Sequence, residues 1–110
     1  MLTAHFVRQL RILHIEPSET DHHHVCDALG LDRSGEVITR VETLAAFRQR
    51  MTQPQPCNVV VCAYHCAGFT AMDAWDELLS LPGVPPPFIV LSRSVSEAGA
   101  IDIIFGVLKK

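Results

Sequence analysis

Four short apolar runs are spaced along the chain, each too brief for a helix and each bounded by proline, glycine or polar residues. They are Leu10-Arg-Ile-Leu-His-Ile-Glu16, Glu36-Val-Ile-Thr-Arg-Val41, Asn58-Val-Val-Val-Cys62 and Phe88-Ile-Val-Leu-Ser92. Their β-branched content and their length predict strands. The third and fourth show no polar alternation, so they read as strands buried on both faces, as in a central parallel sheet. Pro17 closes the first run, because it removes a backbone donor.

Helical spacing fills the gaps. Ser18 is placed to cap a helix in which Asp21 completes a capping box and His22, Val25, Cys26 and Leu29 share one face, with Gly30 as its stop. A second helix is expected from Thr43 to Met51, with Leu44, Phe47 and Met51 turned inward. A third runs from Thr70 to Leu81, with Thr70 and Asp73 in capping-box spacing and Met72, Trp75, Leu78 and Leu79 as its apolar stripe. A fourth starts at Ser96 and keeps helical spacing through Ala100, Ile101, Ile104, Phe105 and Leu108. Strand and helix thus alternate, which predicts an α/β domain of parallel strands joined by crossovers, with helices on both faces. At 110 residues the chain holds one such domain, spanning 1–110.

Composition narrows the function more than the fold. A net charge of -3, with Lys109-Lys110 as the longest basic run, gives no general attraction to nucleic acid or to an anionic membrane. Arg8, Arg11, Glu16 and Asp21 interrupt the N-terminal third, so no stretch approaches the roughly 18 apolar residues of a membrane span. Residues 1–10 lack the layout of a signal peptide, and the expected location is the cytoplasm. Cys26, Cys57, Cys62 and Cys66 form no CxxC pair and read as reduced, partly buried thiols.

At this level the chain resembles the receiver domains of bacterial response regulators. The resemblance rests on RILHIEPSETD (Arg11 to Asp21), RVETLAAFR (Arg40 to Arg48), NVVVCAYHCAGFTAMDA (Asn58 to Ala74) and PFIVLSRSVSE (Pro87 to Glu97), in the family's order and at suitable spacings. It implies a flavodoxin-like, doubly wound parallel sheet in three α/β/α layers with strand order 2-1-3-4-5, and a part in two-component, phosphorelay signal transduction. RVETLAAF in particular is similar to receivers attached to sensor kinases. At the C-terminus the family's Gly-Ala-x-Asp-Tyr lead into strand five is absent. Val107-Leu108-Lys109 is either a vestige of that strand, with Lys109 as the family's lysine, or part of a fourth helix in which the chain stops; the second is expected, leaving the fold altered at strand 5 and helix 5.

Receiver chemistry needs an aspartate at a strand end to take a phosphoryl group, an acid pair to hold Mg²⁺, and a hydroxyl and a lysine on the phosphoryl oxygens. Carried over position by position, Glu16 matches the first acid and Ser92 the hydroxyl, while Pro17 stands at the second acid and Ala63 at the acceptor. A methyl group takes no phosphoryl, and no Asp or Glu occurs between Thr43 and Met72 to replace it. The expectation is a degenerate receiver, a pseudo-receiver with neither catalytic activity nor cofactor, in which Glu16 alone makes a poor Mg²⁺ site. Its partner would be a protein, such as a sensor histidine kinase or an attached output domain, or a second copy in a homodimer. Tyr64, His65 and Phe69, beside the strand end, are the candidate contacts.

Two clusters raise a second reading, a small metal- or redox-sensing domain. His22 and Cys26 lie one helical turn apart, but His22, His23 and His24 point about 100° from one another and cannot converge. Cys62, His65 and Cys66 pair soft ligands with a histidine that could activate a thiolate.

Overall fold

The first described strand lies inside the sheet, between two later ones. The computed structural model describes residues 10–33, 35–54 and 56–92. In it β1 (Ile12–Ile15) pairs in parallel with β2 (Ile38–Val41) on one side and with β3 (Val59–Ala63) on the other. A further strand, β6 (Phe88–Leu91), pairs in parallel with β3, so the order is β2-β1-β3-β6. Three helices connect them: α1 (Glu19–Leu29), α2 (Leu44–Met51) and α3 (Ala71–Leu79). The protein is therefore an α/β domain with a four-stranded parallel sheet and three helices among the described residues. No described helix is long and apolar enough to cross a membrane. The expected helix from Ser96, Lys109 and the question of a fifth strand lie outside the described residues.

Side chains alternate across a strand, so β1 divides its residues between two cores. Leu13 and Ile15 join Val41, Val60, Cys62, Phe47 of α2 and Ala71, Ala74 and Leu78 of α3. Ile12 faces the other way, into a smaller cluster with Ile38, Val61 and Cys26 of α1. The caps explain where the helices begin. Ser18 Oγ accepts from Asp21 N–H at 3.1 Å, Thr43 Oγ1 accepts from Ala46 N–H at 3.0 Å, and Asp73 Oδ2 accepts from Thr70 N–H at 2.9 Å. The other half of the box expected at Ser18 is filled differently: Ser18 N–H donates to Glu16 Oε2 at 3.1 Å, so Glu16 takes the place assigned to Asp21.

Several expected faces are corrected. Leu29 and Leu79, the last residues of α1 and α3, are each 53 % exposed. The inward face of α3 is built from Ala71, Ala74 and Leu78, while Trp75 flanks it with its ring centroid 5.3 Å from that of Phe88. Small residues let the helix backbone approach the sheet, and Trp75 fills the space at its side. β6 is half-exposed instead of buried on both faces: Ile89 and Leu91 are open, while Phe88 and Val90 pack on the larger core. Arg48 of α2 forks onto Glu77 of α3 at 2.7 and 2.6 Å, tying two neighbouring helices.

Candidate functional site

The carboxyl ends of β1, β3 and β6 open into a cleft of about 550 Å³ lined by Glu16, Asp21, His24, Ala63, Tyr64, His65, Leu91 and Ser92, with Val25 beneath. In a parallel sheet this is the end at which sites form, because the connections diverge there and leave a crevice. Glu16, Ala63 and Ser92, the positions singled out on three separate strands, come together in it. Pro17 lies next to Glu16 but outside the lining.

Each wall has a local cause. Glu16, 5 % exposed, follows β1 directly and is fixed by Ser18 N–H. Arg40 of β2 donates to the carbonyl oxygens of both Glu16 and Pro17 at 3.2 Å and to Glu42 Oε1 at 3.0 Å, so a cation pins the backbone of the first loop. Ala63 is the last residue of β3 and is 6 % exposed. Its methyl group closes the floor of the cleft where a longer side chain would project. Asp21 enters from the first turn of α1, a second carboxylate that the strand-end reasoning missed.

Beyond Ala63 the chain does not form the plain loop that the sequence suggests. His65–Cys66 (β4) and Phe69–Thr70 (β5) pair antiparallel, Gly68 turns between them with φ 86°, and Ala71 N–H donates to the Tyr64 carbonyl at 2.9 Å. This hairpin sorts the three candidate contact residues. His65 is exposed and meets Tyr64 edge-on at 4.8 Å, whereas Phe69 is buried in the larger core and offers little surface. Tyr64 and His65 therefore form the accessible rim.

A buried polar chain joins β1 to α1, and its first member was not suggested by the sequence. His14 on β1 is fully buried, and its Nδ1 lies 2.8 Å from Nδ1 of His22 on α1. His22 is also buried, and its Nε2 lies 3.6 Å from Cys26 Sγ. His14 Nε2 has no hydrogen-bond partner. A bare lone pair is tolerated there more readily than an unpaired N–H, so we assign the His14 proton to Nδ1, which donates to His22; His22 Nε2–H then faces the Cys26 sulfur. Burial, reinforced by His22 and Arg40, lowers the pKa of His14 to about 4, and burial and Arg40 lower that of His22. Both rings are neutral at pH 7.

The acid pair implied for Mg²⁺ is not reproduced. Pro17 has no side-chain oxygen and Ala63 none, while Glu16 Oε2 is already engaged by a backbone N–H. Mg²⁺ takes near-octahedral oxygen ligation, and the side-chain oxygens lining the cleft are those of Glu16, Asp21, Tyr64 and Ser92. Among the described residues no group of three or more His, Cys, Asp or Glu is arranged to hold a metal ion. Compared with known protein families, curated proteins and solved structures, the chain has no match.

Proposed function

We propose that this chain is a degenerate receiver domain, flavodoxin-like in three layers, that works in two-component signal transduction by binding a protein partner without being phosphorylated. One observation carries the reading. Glu16, Ala63 and Ser92 were assigned from separate segments of sequence, and they line a single cleft at the carboxyl ends of β1, β3 and β6. The strand order β2-β1-β3-β6 supports it, since it matches the first four strands of the receiver order. With a methyl group at the acceptor position, the domain signals by being bound. The rim of Tyr64 and His65 is the surface that a cytoplasmic sensor kinase or an output domain would read.

Restoring the missing groups tests the assignment. The wild-type chain incubated with acetyl phosphate and Mg²⁺ should acquire no acid-labile phosphate, and the double variant Pro17→Asp, Ala63→Asp should acquire it, with Mg²⁺ raising its melting temperature. A stably phosphorylated wild type would overturn the pseudo-receiver reading. A folded double variant that neither binds Mg²⁺ nor takes up phosphate would show that the cleft is not a receiver site.

A further inference from the structure

The hairpin after β3 brings two thiols to one carbonyl. Cys62 Sγ lies 3.2 Å and Cys66 Sγ 3.5 Å from the oxygen of Ala63. Cys62 is fully buried in the larger core, and Cys66 packs half-buried against the same cluster. The fold imposes this arrangement, because β4 pairs back on β5 and Tyr64 is clamped by Ala71 N–H, so the chain turns sharply between the two cysteines.

We propose that Cys62 and Cys66 are a redox modification site, closing to an intramolecular disulfide when the protein meets hydrogen peroxide and reopening with a dithiol. The two sulfurs have unequal chemistry. The contact between the two thiols lowers the pKa of half-exposed Cys66 and, together with burial, raises that of Cys62. The half-exposed sulfur is thus the nucleophile and the buried one the resolving thiol.

In the first step the Cys66 thiolate attacks one peroxide oxygen, the O–O bond breaks, and hydroxide leaves to take up a proton as water. Cys66 is then a sulfenic acid. In the second step the Cys62 sulfur attacks the Cys66 sulfur, the S–O bond breaks, and the departing oxygen leaves as water with the Cys62 proton. Two thiols lose two electrons, and one peroxide becomes two waters. The other cysteines are poorly placed to compete. Cys26 is buried under α1 and Cys57 bonds Met51 Sδ at 3.5 Å, and burial pushes both thiols up. This chemistry stands apart from the partner-binding reading, although the new bond would tie the hairpin bearing His65 to β3.

The test is peroxide treatment of the full chain, alkylation of the remaining thiols and peptide mapping. Four free thiols should fall to two, with Cys62 linked to Cys66, a mass loss of about 2 Da and full recovery in dithiothreitol. Cys66→Ser, at a half-exposed position, should abolish the link. Cys62→Ala should trap Cys66 as its oxygenated acids, and the double variant Cys26→Ala, Cys57→Ala should still form the bond. Trp75 fluorescence checks that each variant is folded. The proposal fails if the folded wild type gains oxygen at Cys66 without cross-linking, or if the cross-link persists in Cys66→Ser.

Discussion

Acidification should unfold this domain through the His14–His22 pair before its carboxylates come into play. His14 is fully buried, and protonating it would create a second N–H at Nε2, where no acceptor lies. Its folded pKa of about 4 lies below the unfolded value of 6.5. As pH falls through 6.5 the unfolded chain therefore binds the proton and the folded chain does not, so stability declines until pH reaches about 4 and then levels off. At about 1.4 kcal/mol per pKa unit, His14 accounts for about 3 kcal/mol of that loss, and His22 adds to it in the same direction. That is a large share of the total stability of a small domain, about 5–15 kcal/mol. Urea unfolding followed by Trp75 fluorescence from pH 8 to pH 4 measures the slope. His14→Gln keeps an amide to bond His22 and removes the titration, so it should flatten most of the decline between pH 6.5 and pH 4. Equal slopes in wild type and variant, or a His14 ring that titrates near 6.5 by NMR, would refute the reasoning.

Three further outcomes follow from the packing. Phe47→Ala, at a fully buried ring between α2 and the sheet, should cost about 3–5 kcal/mol in the same urea assay. Ser18→Ala removes the acceptor for Asp21 N–H and should cost about 1 kcal/mol, with amide exchange rising in the first turn of α1 and not in α2. Arg40→Ala releases the carbonyls of Glu16 and Pro17 and should speed amide exchange at Ser18 while leaving exchange in β3 unchanged.

The alternation of four apolar runs with three helical patterns was legible because strands and helices leave different periods, and the caps at Ser18 and Thr70 marked where two of the helices start, while the cap at Thr43 came with the structure. Phe47 was readable as core for the same reason. His14 was not, since a lone histidine in an apolar run announces no partner, and the ring it bonds lies eight residues away on another element. A signal existed: Ile12, His14 and Glu16 share one strand face, and a histidine on a face covered by α1 needs a polar neighbour there. The β4–β5 hairpin was missed because two-residue strands carry no period, and with it the burial of Phe69 and the approach of Cys66 to Cys62. Ile89 and Leu91 read as core from hydropathy alone, which does not reveal that β6 has one open face. In the cleft, Glu16, Ala63 and Ser92 were found through resemblance, whereas Asp21 came only with the helix that turns it inward.

A sheet whose first described strand lies between two later ones has to be assembled out of sequence order. As the chain leaves the ribosome, β1 can pair with β2 early, but its other edge waits for β3. Arg11, at the start of β1, bonds Pro56 and Asn58, partners 45 and 47 residues further on. Until they emerge, Ile12 to Ile15 present an unpaired apolar edge, the kind of surface that invites capture by another nascent chain. Closing a loop of that length must precede any gain from the sheet centre, so the β1–β3 junction is the natural rate-limiting event of folding. Mutations at Asn58 or Arg11 should accordingly slow refolding more than they speed unfolding.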